Sequence, residues 1–274
     1  MTHCGSLLRR VASALIAGLV ASAGMTGLAT VKEPTGEYAL FNQCPRFASG
    51  VKQCLYARTY GGELKLGTRL IPLVHPVVLQ AGTYLDLVTG EEVVVGASNG
   101  ETLSRSPQPL PGGLFGHALD VTMELADPPS AIGLSVGNLI GEAGTALSLP
   151  VKMHLESPFL GSECFIGSHT APVVLNLTDG TTSPAPPNRP LRGSLGPATT
   201  NGEETILELA KSVLVGNTFS MPEATGCGGG GTSTLVDRLL DDDLGLPSPD
   251  GHNAAILDNT FYRGAVVAVV RSER

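Results

Sequence analysis

Two stretches of alternating apolar and polar residues constrain the fold of this chain more than any other feature. In HALDVTMEL, residues 117–125, every second side chain from Leu119 onward is apolar. LSLPVKMHLE, residues 147–156, follows the same rule. A period of two is typical of a strand with one buried face and one solvated face. Both stretches therefore predict strands, and Pro150, on the polar side of the second, predicts an edge or a bulge.

The rest of the chain has the composition and the turns of a β protein. Shorter apolar runs predict further strands at residues 173–177, 205–210 and 265–270. Gly67-Thr68 and Asn99-Gly100 separate such runs and are typical of tight hairpins. The chain holds 35 Gly and 20 Pro and lacks the long helical segments that a parallel sheet needs for its crossovers. We predict a mainly β protein, an antiparallel β-sandwich or barrel-like sheet.

One short helix is predicted near the C-terminus. Thr234 and Asp237 have the spacing of a capping box, and Gly245 followed by Pro247 gives a stop signal. Residues 135–144 predict a further helical turn. Helices are therefore expected to be minor elements beside the sheet.

The N-terminal segment predicts export. A basic pair that begins at Arg9 precedes an uncharged run of apolar and small residues, 11–31. This order predicts a secretory signal peptide over residues 1–29, with cleavage after Ala23 or Ala29. The alternative is an uncleaved anchor, because the run is long enough to span a bilayer, but its Ala, Gly, Ser and Thr content makes it only mildly apolar. We predict a secreted, extracellular protein that is not stably inserted in the membrane after cleavage.

The net charge limits the class of partner, and the distribution of prolines limits the domain organisation. The net charge of −8 argues against nucleic acid as a partner. A proline-rich segment, residues 181–197, is interpreted as a loop inside one β-rich exported domain, residues 35–274, and not as a linker. No cofactor is predicted, because no motif in the chain calls for one.

Four cysteines follow the predicted signal peptide: Cys44, Cys54, Cys164 and Cys227. An even number in an exported chain predicts two disulfides. Three pairings are open; the short loop between Cys44 and Cys54 favours that bridge, which leaves Cys164 with Cys227. A zinc site is the alternative, but neither a C-x-x-C motif nor a nearby pair of histidines supports it.

The pentapeptide GLSVG, Gly133–Gly137, matches the G-x-S-x-G pattern of serine hydrolases. Asp258 and His252 follow Ser135 and would complete a triad of nucleophile, acid and base. The pattern arises easily by chance in a chain rich in glycine, and the segment before it, ADPPSAI, does not resemble the buried strand that a nucleophile turn needs. A hydrolase that uses Ser135 is therefore the alternative, and a glycine-rich connector is the favoured interpretation.

Asp241, Asp242 and Asp243 form an acidic cluster at the end of the predicted C-terminal helix. Carboxylates there oppose the helix dipole, so a compensating partner is expected, either a cation or Arg263. Calcium prefers oxygen ligands, which makes a calcium-binding module the second alternative. The residues of an EF-hand loop are missing, and a solvated helix end remains the simpler interpretation.

Much of the chain resembles a group of secreted proteins of high-GC Gram-positive bacteria for which no activity is known. The resemblance rests on four segments, residues 54–67, 144–168, 172–196 and 245–257. It implies export and organisation as a single unit, but no ligand or catalytic residue. We therefore predict an exported, disulfide-stabilised β-rich protein with a structural or binding role at or outside the cell surface, where an extracellular protein or a glycan would be its ligand.

Overall fold

The computed structural model describes residues 32–201, 206–228 and 233–274, so the predicted signal peptide lies outside the described residues. Fourteen strands are described. They are β1 (Gln53–Leu66), β2 (Arg69–Pro72), β3 (Val77–Leu85), β4 (Glu92–Gly96), β5 (Gln108–Pro109), β6 (Asp120–Leu125), β7 (Gly133–Leu134), β8 (Leu147–Glu156), β9 (Phe165–Ile166), β10 (Val173–Leu177), β11 (Ala198–Thr200), β12 (Ile206–Gly216), β13 (Ala224–Thr225) and β14 (Ala254–Ala265).

The helices are short and lie around the strands. They are α1 (Val136–Gly141), α2 (Ser233–Leu244) and α3 (Val266–Arg271), with 3-10 turns at Gly36–Phe41 and Pro129–Ala131. Helices α1 and α2 agree with the two helical segments predicted from the sequence. Within the described residues, no helix is long and apolar enough to cross a membrane.

All fourteen strands belong to one antiparallel sheet with two halves. The first half has the order β11-β12-β14-β1-β3-β4, with β2 beside β1. The second half has the order β7-β8-β6-β5, and β10 and β9 also pair with β8. The halves meet where Glu92 of β4 pairs with Leu134 of β7, and a single bridge between Thr178 and Val215 links the end of β10 to β12. The sheet is not closed into a barrel, and the predicted mainly β class is confirmed.

The central pair of the first half joins distant parts of the chain. Strand β1 pairs with β14 from Gln53 opposite Ala265 to Lys65 opposite Ala254. The predicted hairpin at Gly67-Thr68 connects β1 to β2, with Leu66 opposite Arg69. Gly67 has a positive φ of +57°, and a Cβ atom there would lie 2.2 Å from the carbonyl oxygen of Leu244, so the turn needs a glycine.

Strand β8 occupies the predicted residues 147–156, but it is central and not an edge strand. On one side it pairs with β10, where Pro150 lies opposite Val174. On the other side Leu147 and Ser148 pair with β7, and the pairs with β6 begin at Val151. Pro150 is thus accommodated where the ladder passes from β7 to β6, and its missing N–H breaks no pair on that side.

The main core lies between the two halves of the sheet. Leu64 and Leu79 from the first half join Met153 and Leu175 from the second in one buried cluster. A smaller cluster on the outer face of the first half contains Phe41, Ile206 and Val269.

The strand predicted at residues 265–270 is wrong, because β14 ends at Ala265 and the run continues as helix α3. The helix buries Ala268 and Val269 against the outer face of the first half. Apolar runs of five or six residues carry no periodicity that separates a strand from a buried helix.

Both disulfides have the predicted pairing. Cys44 joins Cys54, with Cα atoms 5.5 Å apart, and Cys164 joins Cys227, with Cα atoms 4.2 Å apart. The first ties the segment before β1 to that strand, and the second ties the segment before β9 to the segment after β13. All four cysteines are buried.

Candidate binding cleft

Ser135 lies between a short strand and a short helix. The two residues of β7 precede it and α1 follows it, so the local context resembles a nucleophile turn more than the segment ADPPSAI suggested. The backbone is unstrained, with φ −127° and ψ 99°. Its Oγ accepts a hydrogen bond from the backbone N–H of Asn138 at 3.2 Å, which makes Ser135 the N-cap of α1.

An open cleft of about 840 Å³ lies over Ser135. Its walls come from the β3–β4 turn, from the segment that leads into β7, from the first turn of α1 and from the start of β8. The lining residues are Leu85, Gly90, Glu91, Glu92, Val93, Ser130, Ala131, Ile132, Gly133, Leu134, Ser135, Val136, Gly137, Thr145 and Ser148. Pockets of roughly 300–1,000 Å³ are typical of small-molecule sites, so the cleft has the size of a ligand site.

One side of the cleft contains the carboxylate of Glu92, which is paired with Arg263. Two nitrogens of Arg263, Nη1 and Nη2, donate to Glu92 at 3.1 and 2.6 Å, and the hydroxyl of Thr83 donates to it at 2.6 Å. The Glu92 side chain is only 9 % exposed. Charge-assisted, bidentate bonds of this kind hold a carboxylate in a fixed position. Arg263 is therefore occupied here, and it does not compensate the end of the C-terminal helix.

The structure does not join Ser135, His252 and Asp258 by hydrogen bonds. The backbone N–H of His252 bonds to Pro249 in an exposed turn. Asp258 is in the middle of β14, opposite Gly61 of β1. Since β1, β3 and β4 separate β14 from β7 in the sheet, Asp258 and Ser135 belong to different parts of it.

The three aspartates at the end of α2 have separate environments. Asp241 accepts a hydrogen bond from the backbone N–H of Ala224 at 2.8 Å, and burial raises the pKa of its carboxyl. Asp243 forms an ion pair with Arg69 at 2.8 Å, and Asp242 is exposed. Arg69 and a backbone N–H thus supply the positive partners that the helix end needs.

The described part of the chain holds no group of side chains arranged as a metal-binding site. Among residues 32–201, 206–228 and 233–274, no three His, Cys, Asp or Glu side chains are grouped so that they could hold an ion. The calcium alternative therefore receives no geometric support from the aspartates of α2.

A second, enclosed space lies inside the core, and nothing in the sequence pointed to it. It measures about 50 Å³ and is lined mainly by apolar side chains from both halves of the sheet. Thr59, Ser212 and Asn259 give it one polar wall, because Asn259 lies opposite both other residues in the sheet. The ladders on both sides of β14 are irregular at this row. Bulges are frequent next to functional sites, where they redirect side chains.

Asp179 is the most unusual ionisable group of the described residues. Its side chain is 0 % exposed, and neither carboxylate oxygen has a hydrogen-bond partner. Burial raises its pKa to about 6, the nearby backbone N–H of Asp179 itself opposes that shift, and the charge of Glu142 at the end of α1 adds to it. The sequence LTDGT reads as an exposed turn, so this burial was not predictable locally.

A charge network occupies the outer face of β6 and β8. Glu124 lies 3.4 Å from Lys152, 3.6 Å from His154 and 3.7 Å from Arg105. The Phe165 ring stacks on His154 with centroids 4.5 Å apart, and Lys152 lies 3.9 Å from that ring's centroid. His154 was expected on the solvated face of its strand, and it is half-buried there within this network.

The fold and the cleft together describe a disulfide-bonded antiparallel β protein with an open site beside a serine-capped helix. Comparison with known proteins adds no relative, since no family model, curated protein or solved structure matches this chain. The cleft and its surroundings are therefore the features of the protein that bear on its function.

Proposed function

We propose that the protein is exported and acts outside the cell as a binding protein that holds a small ligand in the cleft over Ser135. The observation that carries this proposal is the cleft of about 840 Å³, which has the size of a small-molecule site. Two buried disulfides support export, because such bonds persist in oxidising compartments. The predicted signal peptide and the resemblance to secreted proteins agree with it.

The charges of the cleft favour an uncharged ligand. Among the described residues, its lining contains the carboxylates of Glu91 and Glu92 but no Lys, Arg or His. An anionic ligand would find no positive partner on this lining, and burying its charge without a partner is costly. A cationic ligand would gain little, because Glu92 is already paired with Arg263 and Glu91 is exposed to solvent. Ser135 has no described acceptor for its own O–H, so it can donate one hydrogen bond into the cleft. A neutral molecule with an acceptor oxygen fits these groups.

Binding is favoured over catalysis because Ser135 lacks the partners of a nucleophile. A catalytic serine needs a base within hydrogen-bond reach. No histidine of the described part of the chain lines the cleft, and Ser135 Oγ already accepts the hydrogen bond that begins α1. Serine as a helix N-cap stabilises a helix by about 1 kcal/mol, which accounts for its place there.

The absence of tryptophan from the chain permits a sensitive test. Thr145 lines the cleft and is exposed, so Thr145→Trp places the single indole fluorophore of the protein at the site. Thr170→Trp is the matched control, because Thr170 is exposed and does not line the cleft. Glycerol monobutyrate, an uncharged ester with hydroxyl groups, is the probe. We expect a saturable change in emission with Thr145→Trp and none with Thr170→Trp.

Two results would overturn the proposal. Equal responses of the two tryptophan variants, or no saturable response, would show that the cleft does not bind the probe. Release of butyrate at a rate above the uncatalysed one, together with labelling of Ser135 by a fluorophosphonate, would show a hydrolase instead.

A further inference from the structure

The enclosed space in the core lies directly behind the cleft. Leu134 lines both of them, so its side chain lies between the open cleft and the enclosed space, which is called the interior below. Helix α1 completes this wall: Val136 and Gly137 face the cleft, and Leu139 faces the interior.

The helix that forms this wall has low intrinsic stability. Helix α1 has six residues, two of which are glycines, and it ends at Glu142 in the left-handed conformation. A glycine inside a helix is less favourable than an alanine, because its backbone loses more conformational freedom. A short helix of this composition depends on its packing and its cap, so it is expected to open locally more easily than the strands.

The interior is too small to be a ligand site by itself. Its volume is about 50 Å³. An apolar cavity of about 150 Å³ stays dry and takes up benzene. Apart from the polar wall of Thr59, Ser212 and Asn259, the lining here is apolar, so an aliphatic group that entered the space would gain contacts that water does not make.

Apolar side chains also surround the entrance. Leu85 lines the cleft and is largely exposed. In the turn that follows it, Leu87 is 90 % exposed and Val88 is 94 % exposed. Exposed neighbouring apolar side chains are expected where a protein meets an apolar partner or ligand.

We propose that the ligand is an uncharged single-chain amphiphile, whose polar head lies in the cleft and whose alkyl chain passes Leu134 into the interior. This inference rests on the proposed function. The charges of the cleft select the neutral head, and the apolar space behind Leu134 accommodates the end of the chain. The exposed residues Leu87 and Val88 contact the chain during entry.

The test measures affinity as a function of chain length. Glycerol monobutyrate, monohexanoate and monooctanoate are titrated against the Thr145→Trp protein, each below its critical micelle concentration. Burial of one methylene is worth about 0.8 kcal/mol, so each added methylene should tighten binding about fourfold until the interior is filled.

A variant that fills the interior provides the specific control. Ala146 is buried and lines the interior but not the cleft, so Ala146→Val should remove the gain with chain length and leave the affinity for monobutyrate within about twofold of its original value. Ala255→Val is the matched substitution of a buried alanine that lines neither space, and it should keep the gain. The thermal unfolding of both variants is recorded, and monobutyrate binding confirms that each is folded.

The outcomes separate the two proposals. Saturable binding of all three probes with equal affinity would overturn the amphiphile inference and leave the binding function intact. Chain-length dependence that persists unchanged in Ala146→Val would also overturn it, since the chain would then lie outside the interior. Failure of every probe to bind would remove the proposed function itself.

Discussion

Replacement of Asp179 by asparagine should change how stability depends on pH. In the folded protein the pKa of this carboxyl is raised from 3.8 to about 6, chiefly because the side chain is buried. The folded state therefore binds the proton more tightly than the unfolded state does. The contribution of Asp179 to stability is greatest below pH 4, falls as the pH rises through 4 to 6, and is constant above that.

The size of the effect follows from the shift in pKa. A shift of about two units corresponds to about 3 kcal/mol between the protonated and the ionised protein. Asp179→Asn retains the shape and removes the charge, so its stability relative to the original protein should rise by about 2.4 kcal/mol between pH 4 and pH 7. Burial of the asparagine amide has the same energetic cost at every pH, so it does not affect this change in relative stability between pH 4 and pH 7.

Urea unfolding at intervals between pH 3.5 and 7.5 measures the difference directly. The matched control is Asp242→Asn, because Asp242 is an exposed carboxylate at the end of α2. A stability difference between Asp179→Asn and the original protein that varies by less than about 0.5 kcal/mol over this range would refute the reasoning, since the buried carboxyl would then titrate as it does in the unfolded chain.

Three further predictions concern the disulfide, the end of α2 and metal binding. Cys164→Ser with Cys227→Ser opens a bridge with a sequence separation of 63, so urea unfolding should show a loss of about 4 kcal/mol, and a loss below 1 kcal/mol would contradict this. Arg69→Met removes the partner of Asp243 and donors to two backbone carbonyls, so it should cost about 1–2 kcal/mol by the same measurement, and no measurable loss would contradict it. Neither EDTA nor calcium should move the Tm by more than about 1 °C, and a larger calcium-dependent rise would reveal an ion site.

The strands of the second half were predictable because their information is local. Residues 147–156 alternate cleanly, and β8 has those bounds. The helix at 266–271 was missed because its run of valines and alanines is apolar on every face and is equally compatible with a buried strand. The need for a glycine at position 67 depends on the carbonyl of Leu244 in the distant helix α2, which a Cβ atom would meet, and the local hairpin pattern does not contain this contact.

The candidate site was only partly predictable. The motif around Ser135 drew attention to the correct segment, but the cleft arises where β4 and β7 meet through Glu92 and Leu134. The backbone of Gly193, in the proline-rich loop, packs against the backbone of the buried Asp179. Glu92 and Leu134 are 42 residues apart in sequence, and Asp179 and Gly193 are 14 residues apart. No short sequence pattern encodes either contact.

The pairing of β1 with β14 has a consequence for the order of events during biosynthesis. The partner of Gln53 is Ala265, so the longest ladder of the first half cannot form until more than 200 further residues have been made. At a synthesis rate of 5–20 residues per second, β1 waits roughly 10–40 s for its partner. During this interval the hydrogen-bonding edge of β1 toward β14 remains open, and the first half of the sheet stays incomplete although β2 and β3 can already pair with β1. The disulfide between Cys44 and Cys54, by contrast, joins residues only ten positions apart, so its two cysteines are both present long before β14 has been made.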